Sequence, residues 1–234
     1  MPDEHPPEPL QIIAYSDYVC PWCYIGLQRI EQLMREFPVA VEWRPFELHP
    51  ETPTTGASLA GRLGSPERAR AYRDNIIMLA SDSGLQMQMP RVVANSHRSL
   101  EAAEFAREHG GFEAYHRALF HAYFERSEIQ RLPLKPSDEE CRDIGDPDVL
   151  CEIARACGVD DQGLRQALAD EVYRDRIDDV TRAARADEVV STPTFIFQGD
   201  NGFADGFRLT GAQDYAVFAS VTSRILARRR LNRA

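Results

Sequence analysis

Positive charge is scarce in this sequence. Its 234 residues include 27 Lys and Arg against 37 Asp and Glu, for a formal charge of -10, and lysine is represented by Lys135 alone. That balance excludes a nucleic-acid groove or an anionic membrane surface as the main partner, because both would be repelled. The basic triplet Arg228-Arg229-Arg230 is the local exception, and at a helix end it is expected to complement the helix dipole. No run approaches the roughly 20 apolar residues needed to cross a bilayer. The opening Met1 to Leu10, rich in Pro and acid, has neither the basic start nor the apolar stretch of a secretory signal, so a cytoplasmic location is expected. Cysteine is sparse too: five thiols, an odd number, do not make the stapled scaffold of a small secreted protein. A CxxC in such a chain reads as reactive or metal-binding.

What is present is a core-sized hydrophobic content of 43% and a clear order of elements. The run Gln11 to Tyr15 suits a buried strand. A helix follows, with Cys23, Leu27, Ile30, Met34 and Phe37 on one face and Pro38 as its stop. Val39 to Phe46 alternates as a strand, completing a β-α-β unit. From Thr52 to about Arg185 the pattern predicts helices throughout, broken at Thr55-Gly56, Leu63 to Pro66, Gln88 to Pro90, Gly110-Gly111 and Leu132 to Pro136. Phe112, Tyr115, Leu119 and Tyr123 form one apolar stripe; Leu150, Ile153, Ala154 and Cys157 form another, ahead of the cap Gly158. The runs Thr194 to Gln198 and Phe207 to Thr210, joined by Gly199-Asp200-Asn201-Gly202, predict a hairpin. Tyr215, Phe218, Val221 and Ile225 mark a closing helix.

The chemistry concentrates at Cys20-Pro21-Trp22-Cys23. Two cysteines three residues apart at a helix start lie on one side of its first turn, close enough to join reversibly as a disulfide. Cys20, at the N-terminus, gains from free backbone N–H groups and the positive dipole end, which favour a thiolate and make it the expected nucleophile. Cys23, one turn inward, is the expected resolving cysteine. Pro21 fits because a first-turn residue needs no N–H partner. Trp22 either caps the core or offers clients an apolar contact beside the sulfur. A zinc site would need a second ligand pair, and Cys141, Cys151 and Cys157 contain no second CxxC, so no metal is expected. On one helix, Cys151 and Cys157 would stand roughly 9 Å apart and diverge by about 120°, too far to bridge; Cys157 is expected in the core. His109, His116 and His121 lack metal-ligand spacing. Asp17, Glu42, Glu47 and His49 are candidates for tuning proton transfer to Cys23, their plainer role being strand-end or surface groups.

The segment Tyr15-Ser16-Asp17-Tyr18-Val19-Cys20-Pro21-Trp22-Cys23-Tyr24-Ile25-Gly26, with Thr192-Pro193-Thr194-Phe195 far downstream, resembles the DsbA superfamily, in particular its FrnE-like cytoplasmic branch. The resemblance takes in Arg44 to Leu48, Asn95 to Ala106 and Leu209 to Gln213. It implies an α/β, thioredoxin-like fold with a large all-helical insertion: a disordered leader at 1–10, a thioredoxin-like domain at 11–52 and 186–234, and the insertion at 53–185. It also implies a cis Pro193 against the dithiol, with the Thr192 backbone pairing to an extended client. Thr192 departs from the valine common before this proline, and Trp22 stands where strongly oxidising members carry histidine, which implies a less oxidising couple. The implied activity is thiol-disulfide exchange, as a protein disulfide oxidoreductase or isomerase, on protein or small-thiol clients. Glutathione is a candidate partner, and no cofactor is implied. Two other functions compete: a glutathione-dependent isomerase or transferase of the kappa/hydroxychromene-carboxylate type, which typically has serine for the first cysteine, and a redox-inert peptide-binding chaperone.

Overall fold

The computed structural model describes residues 8–125 and 142–233. The leader's first seven residues, Lys135, Cys141 and the break at Leu132 to Pro136 lie outside the described residues. Strand β1 (Leu10–Ser16) leads into α1 (Pro21–Glu36) and returns through β2 (Val39–Pro45). The middle of the chain holds β3 (Ala57–Ser58), α2 (Leu59–Leu63), α3 (Pro66–Asp82), β4 (Val92–Val93), α4 (His97–His109), α5 (Phe112–Phe124), α6 (Pro147–Ala156), α7 (Asp161–Ala169) and α8 (Arg174–Ala186). The chain closes with β5 (Thr194–Gly199), β6 (Gly202–Thr210) and α9 (Tyr215–Arg233). No described helix is long and apolar enough to cross a membrane.

The main sheet has the order β2-β1-β5-β6. Parallel pairing of β1 with β2 sets Leu10 opposite Val39 and Ser16 opposite Pro45, whereas β5 runs antiparallel to β1, with Ala14 opposite Phe195. The apolar run of β1 is explained by cover on both faces. Leu10, Ile12 and Ala14 enter the main core, while Ile13 and Tyr15 join Phe46, Ala184 and Val189 in a second, smaller cluster. The hairpin β5–β6 carries an irregularity between Phe197 and Gly199.

Two details differ from the sequence reading, and a third adds to it. In α1 the buried face takes Leu33 and leaves Met34 about half exposed, because the next core position falls three residues after Ile30 and not four. Among the described residues, the middle segment's regular elements are helices apart from one short antiparallel pair, β3 with β4, too short to show any alternation in the sequence. In the basic triplet, Arg228 pairs with Asp200 at 2.9 Å and Arg229 donates to the Gln198 side chain at 2.9 Å, so both tie α9 to the hairpin turn.

Candidate functional site: a dithiol at a helix entrance

The carboxyl end of β1 aims the chain at the mouth of α1. Ser16 accepts a backbone hydrogen bond from Phe46 at 3.0 Å, and the turn that follows closes with Cys20 N–H donating to the Asp17 carbonyl at 3.1 Å. Cys20 is the N-cap, in extended backbone (φ -89, ψ 112), with Pro21 in the first helical turn as its fixed φ allows. Its sulfur therefore lies where the unpaired N–H groups of α1 converge. Cys20 is 4% exposed and Cys23 0%, so the first sulfur borders solvent and the second is sealed behind it.

The second half of the site comes from the loop before β5. The Thr192-Pro193 peptide is cis, and the Cys20 thiol donates to the Thr192 carbonyl at 3.5 Å. The loop is pinned by Gly211 N–H on the Pro193 carbonyl at 2.8 Å and by the Thr194 hydroxyl on the Ser191 carbonyl at 2.7 Å. Gly26 permits the close approach of α1. A Cβ there would stand 3.0 Å from the Phe195 ring and 3.2 Å from the Pro193 ring. Thus Cys20, Pro21, Cys23, Thr192 and Pro193, separated by some 170 positions in the chain, meet in one place. Trp22 is half-buried against the core, where its indole bonds the Tyr72 side chain of α3.

Electrostatics separate the two thiols. Burial alone would push the Cys20 thiol up. Hydrogen bonds from Cys23, the Thr192 side chain and the Cys23 backbone outweigh it, so Cys20 lies below its ordinary range. The Thr192 hydroxyl is buried without a hydrogen-bond partner and is free to turn to Cys20 once that sulfur ionises. Cys23 is driven well above its range by burial and by the hydrogen bond and negative charge of Cys20. The pair therefore ionises first at the outer sulfur. Asp17 is fully buried beneath this turn, and burial raises it from 3.8 to about 6 although Leu48 N–H donates to it at 2.8 Å, Val19 N–H at 3.3 Å, and Ser96 through its side chain.

Of the other candidates, Asp17 adjoins the dithiol, close enough that its charge acts on Cys20. Glu42 is exposed and pairs with Arg44 at 2.6 Å; His49 is half-buried and meets Glu51 at 3.1 Å. Glu47 is buried, but bonded to His97 at 2.9 Å. His109 donates to the Phe105 carbonyl at 3.0 Å, His121 meets Glu125 at 2.9 Å, and His116 shares a 2.7 Å bond with the Tyr18 hydroxyl. Burial lowers His116 to about 3, so it is neutral. Cys151 and Cys157 are both free; Cys151 is the deeper of the two, and Cys157, expected in the core, is half-buried at the C-cap of α6. Sequence reasoning missed Tyr72, whose hydroxyl feels the Cys20 charge, and the packing role of Gly26. Nothing local marks Tyr72, whereas a glycine within a strong helical pattern is itself a signal of close approach.

Comparison with known proteins identifies the family of this fold. The model of the DSBA-like thioredoxin domain matches residues 11–134 and 138–222. The uncharacterised protein YwbO of Bacillus subtilis is 28% identical over 190 residues, 80% of this chain and 86% of its own length. The crystal structure of a probable DsbA oxidoreductase from Streptomyces coelicolor superposes with a TM-score of 0.75 at 27% identity, over 93% of this chain and 90% of that one. The cytosolic disulfide reductase DsbM of Pseudomonas aeruginosa, also solved with GSH, shares the fold at a TM-score of 0.61 and 17% identity, over 95% of this chain and all of that one.

Proposed function

The chain belongs to the DSBA-like thioredoxin domain family, and from that premise we propose that it exchanges disulfides with protein or small-thiol clients through Cys20 and Cys23. The observation that carries this reading is the pairing of a depressed outer thiol at a helix entrance with a sealed, raised thiol one turn behind it.

In the reducing direction, the Cys20 thiolate attacks one sulfur of the client disulfide. A mixed disulfide forms and the client's other sulfur leaves as thiolate. Cys23 then loses its proton and attacks the Cys20 sulfur, releasing the second client thiolate and leaving a Cys20–Cys23 disulfide. Asp17, whose carboxyl is poised near 6, is the group we assign to receive the Cys23 proton. Two glutathione molecules could reset the dithiol, leaving as oxidised glutathione; oxidation or isomerisation of a client follows the same steps from the other end. Pro21, Trp22, Thr192 and Pro193 frame the client site, with the Thr192 backbone pairing to an extended segment. We place the activity in the cytoplasm, in a FrnE-like role, on the strength of the sequence resemblance.

Exchange on a glutathionylated fluorescent peptide tests this. Cys20→Ser should abolish turnover, and Cys23→Ser should accumulate a mixed disulfide visible by mass spectrometry. A catalysed glutathione conjugation that survives Cys23→Ala would favour the isomerase or transferase reading. Client binding unchanged with both cysteines replaced by alanine, and no turnover in the wild type, would favour the chaperone.

A further inference from the structure

A second cluster of chemistry-bearing side chains lies behind the dithiol and takes no part in the exchange. Glu47 follows β2, His97 opens α4 and Asp178 lies on α8, so three separate elements bring one donor atom each to within 4.8 Å of the others. Glu47 and Glu101 are each only 3% exposed. Glu47 bonds His97 Nδ1 at 2.9 Å, and Glu101 stands 3.7 Å from His97 Nε2.

The protein's own groups leave this arrangement incomplete. His97 Nε2 and Glu101 Oε2 are buried without any hydrogen-bond partner, and buried polar atoms are ordinarily satisfied. Both border a cavity of about 210 Å³, which Asp178 and Arg174 also line. Arg174 is engaged by Glu171 at 2.6 Å. Three carboxylates thus converge on a single imidazole, and of the two arginines on the cavity wall, Arg98 and Arg174, both act on Glu101.

We propose that Glu47, His97 and Asp178 form a binding site for a divalent cation of the zinc class. One imidazole nitrogen with carboxylate oxygens is a donor set suited to that ion. A cation held at Nδ1 takes the place of the proton shared with Glu47. It leaves Nε2–H to donate to Glu101, the carboxylate–histidine arrangement that commonly orients a metal-bound imidazole. The buried Nε2 thereby carries a proton towards the Glu101 carboxylate. The site does not depend on Cys20 or Cys23, and the test removes both because thiols also bind zinc.

The experiment titrates Zn²⁺ into the full chain carrying Cys20→Ser and Cys23→Ser, by calorimetry, with Co²⁺ as a spectroscopic probe. One equivalent should bind. The Co²⁺ form should show ligand-field bands without the intense near-ultraviolet sulfur band. Asp178→Asn, at an exposed position where folding is safe, should weaken Zn²⁺ binding by about tenfold or more, and His97→Asn should abolish it, since loss of a ligand or its orienting partner costs on this order. Asp179→Asn, one residue away and paired with Arg182, should change nothing. The proposal is overturned by the absence of saturable binding, by a Co²⁺–thiolate band, or by an affinity that Asp178→Asn leaves unchanged.

Discussion

Two pairs of cysteines sit on two helices of this chain, one at the entrance of α1 and the other in the middle and at the exit of α6. Cys20 and Cys23 are three residues apart, on one side of a first turn. Cys151 and Cys157 are six apart, and one of them caps a C-terminus, where the dipole is negative. Both α6 thiols are raised by burial, whereas Cys20 is lowered in spite of it. Burial is thus common to both pairs, and what separates them is the helix end and the hydrogen bonds it offers. Thr192, 172 positions away, completes the environment of Cys20, whereas burial dominates at both α6 thiols.

Removal of the nucleophile should have the largest effect. Cys20→Ser should cut the exchange rate by about three orders of magnitude or more, as loss of a nucleophile does elsewhere, while Cys151→Ser and Cys157→Ser should leave it within about twofold. A steady-state assay on one disulfide peptide decides between these outcomes. Gly26→Ala comes next. Its methyl would press on Pro193 and Phe195, and an overpacked contact of this kind costs about 1–3 kcal/mol. Displacement of the loop from Cys20 should slow exchange by about tenfold, since small misplacements act strongly on rate; thermal melts and the same assay report the two effects separately.

Asp17→Asn sharpens the contrast through pH. A carboxyl raised from 3.8 to about 6 by burial stabilises the fold below pH 4 and loses that contribution as pH rises through 6. Wild type should therefore lose up to about 3 kcal/mol from this group between pH 4 and pH 7.5, and the variant should not; denaturant melts at the two values measure the difference. A variant that shows the same slope would remove Asp17 from the account. The smallest effect is expected from Thr192→Val, which deletes one hydroxyl. The pH midpoint for iodoacetamide alkylation of Cys20 should move upward, towards the α6 thiols, and an unmoved midpoint would show that the helix entrance suffices alone.

Much of this was legible because it is local. The β1–α1 unit, the N-cap position of Cys20 and the inward Cys23 follow from spacing within a few residues, and each is found as read. The α1 face slipped from Met34 to Leu33 because 3.6 residues per turn leaves both positions near the core stripe. Tyr72 and the meeting of His97 with Glu47 and Asp178 were illegible for a different reason. They depend on how α3 meets α1 and how α4 and α8 meet at the end of β2, and no short-range pattern encodes that docking. The position of Pro193 against the sulfur was reached through family resemblance, because a proline at a strand entrance by itself reads only as an edge signal.

The aromatic rings around α1 have a bearing on transplantation. Tyr24 stacks on Phe120 and Phe124 of α5, Tyr18 tilts against Phe120, and the same continuous core holds Leu10 and Phe197. Part of the padding behind the dithiol helix is therefore supplied by the middle of the chain. A graft of residues 10–46 and 194–233 onto a shorter connector would keep the hairpin and the sulfurs but leave the Tyr18 and Tyr24 rings facing water. To reproduce the site in a minimal scaffold, a designer would have to carry α5 along with it.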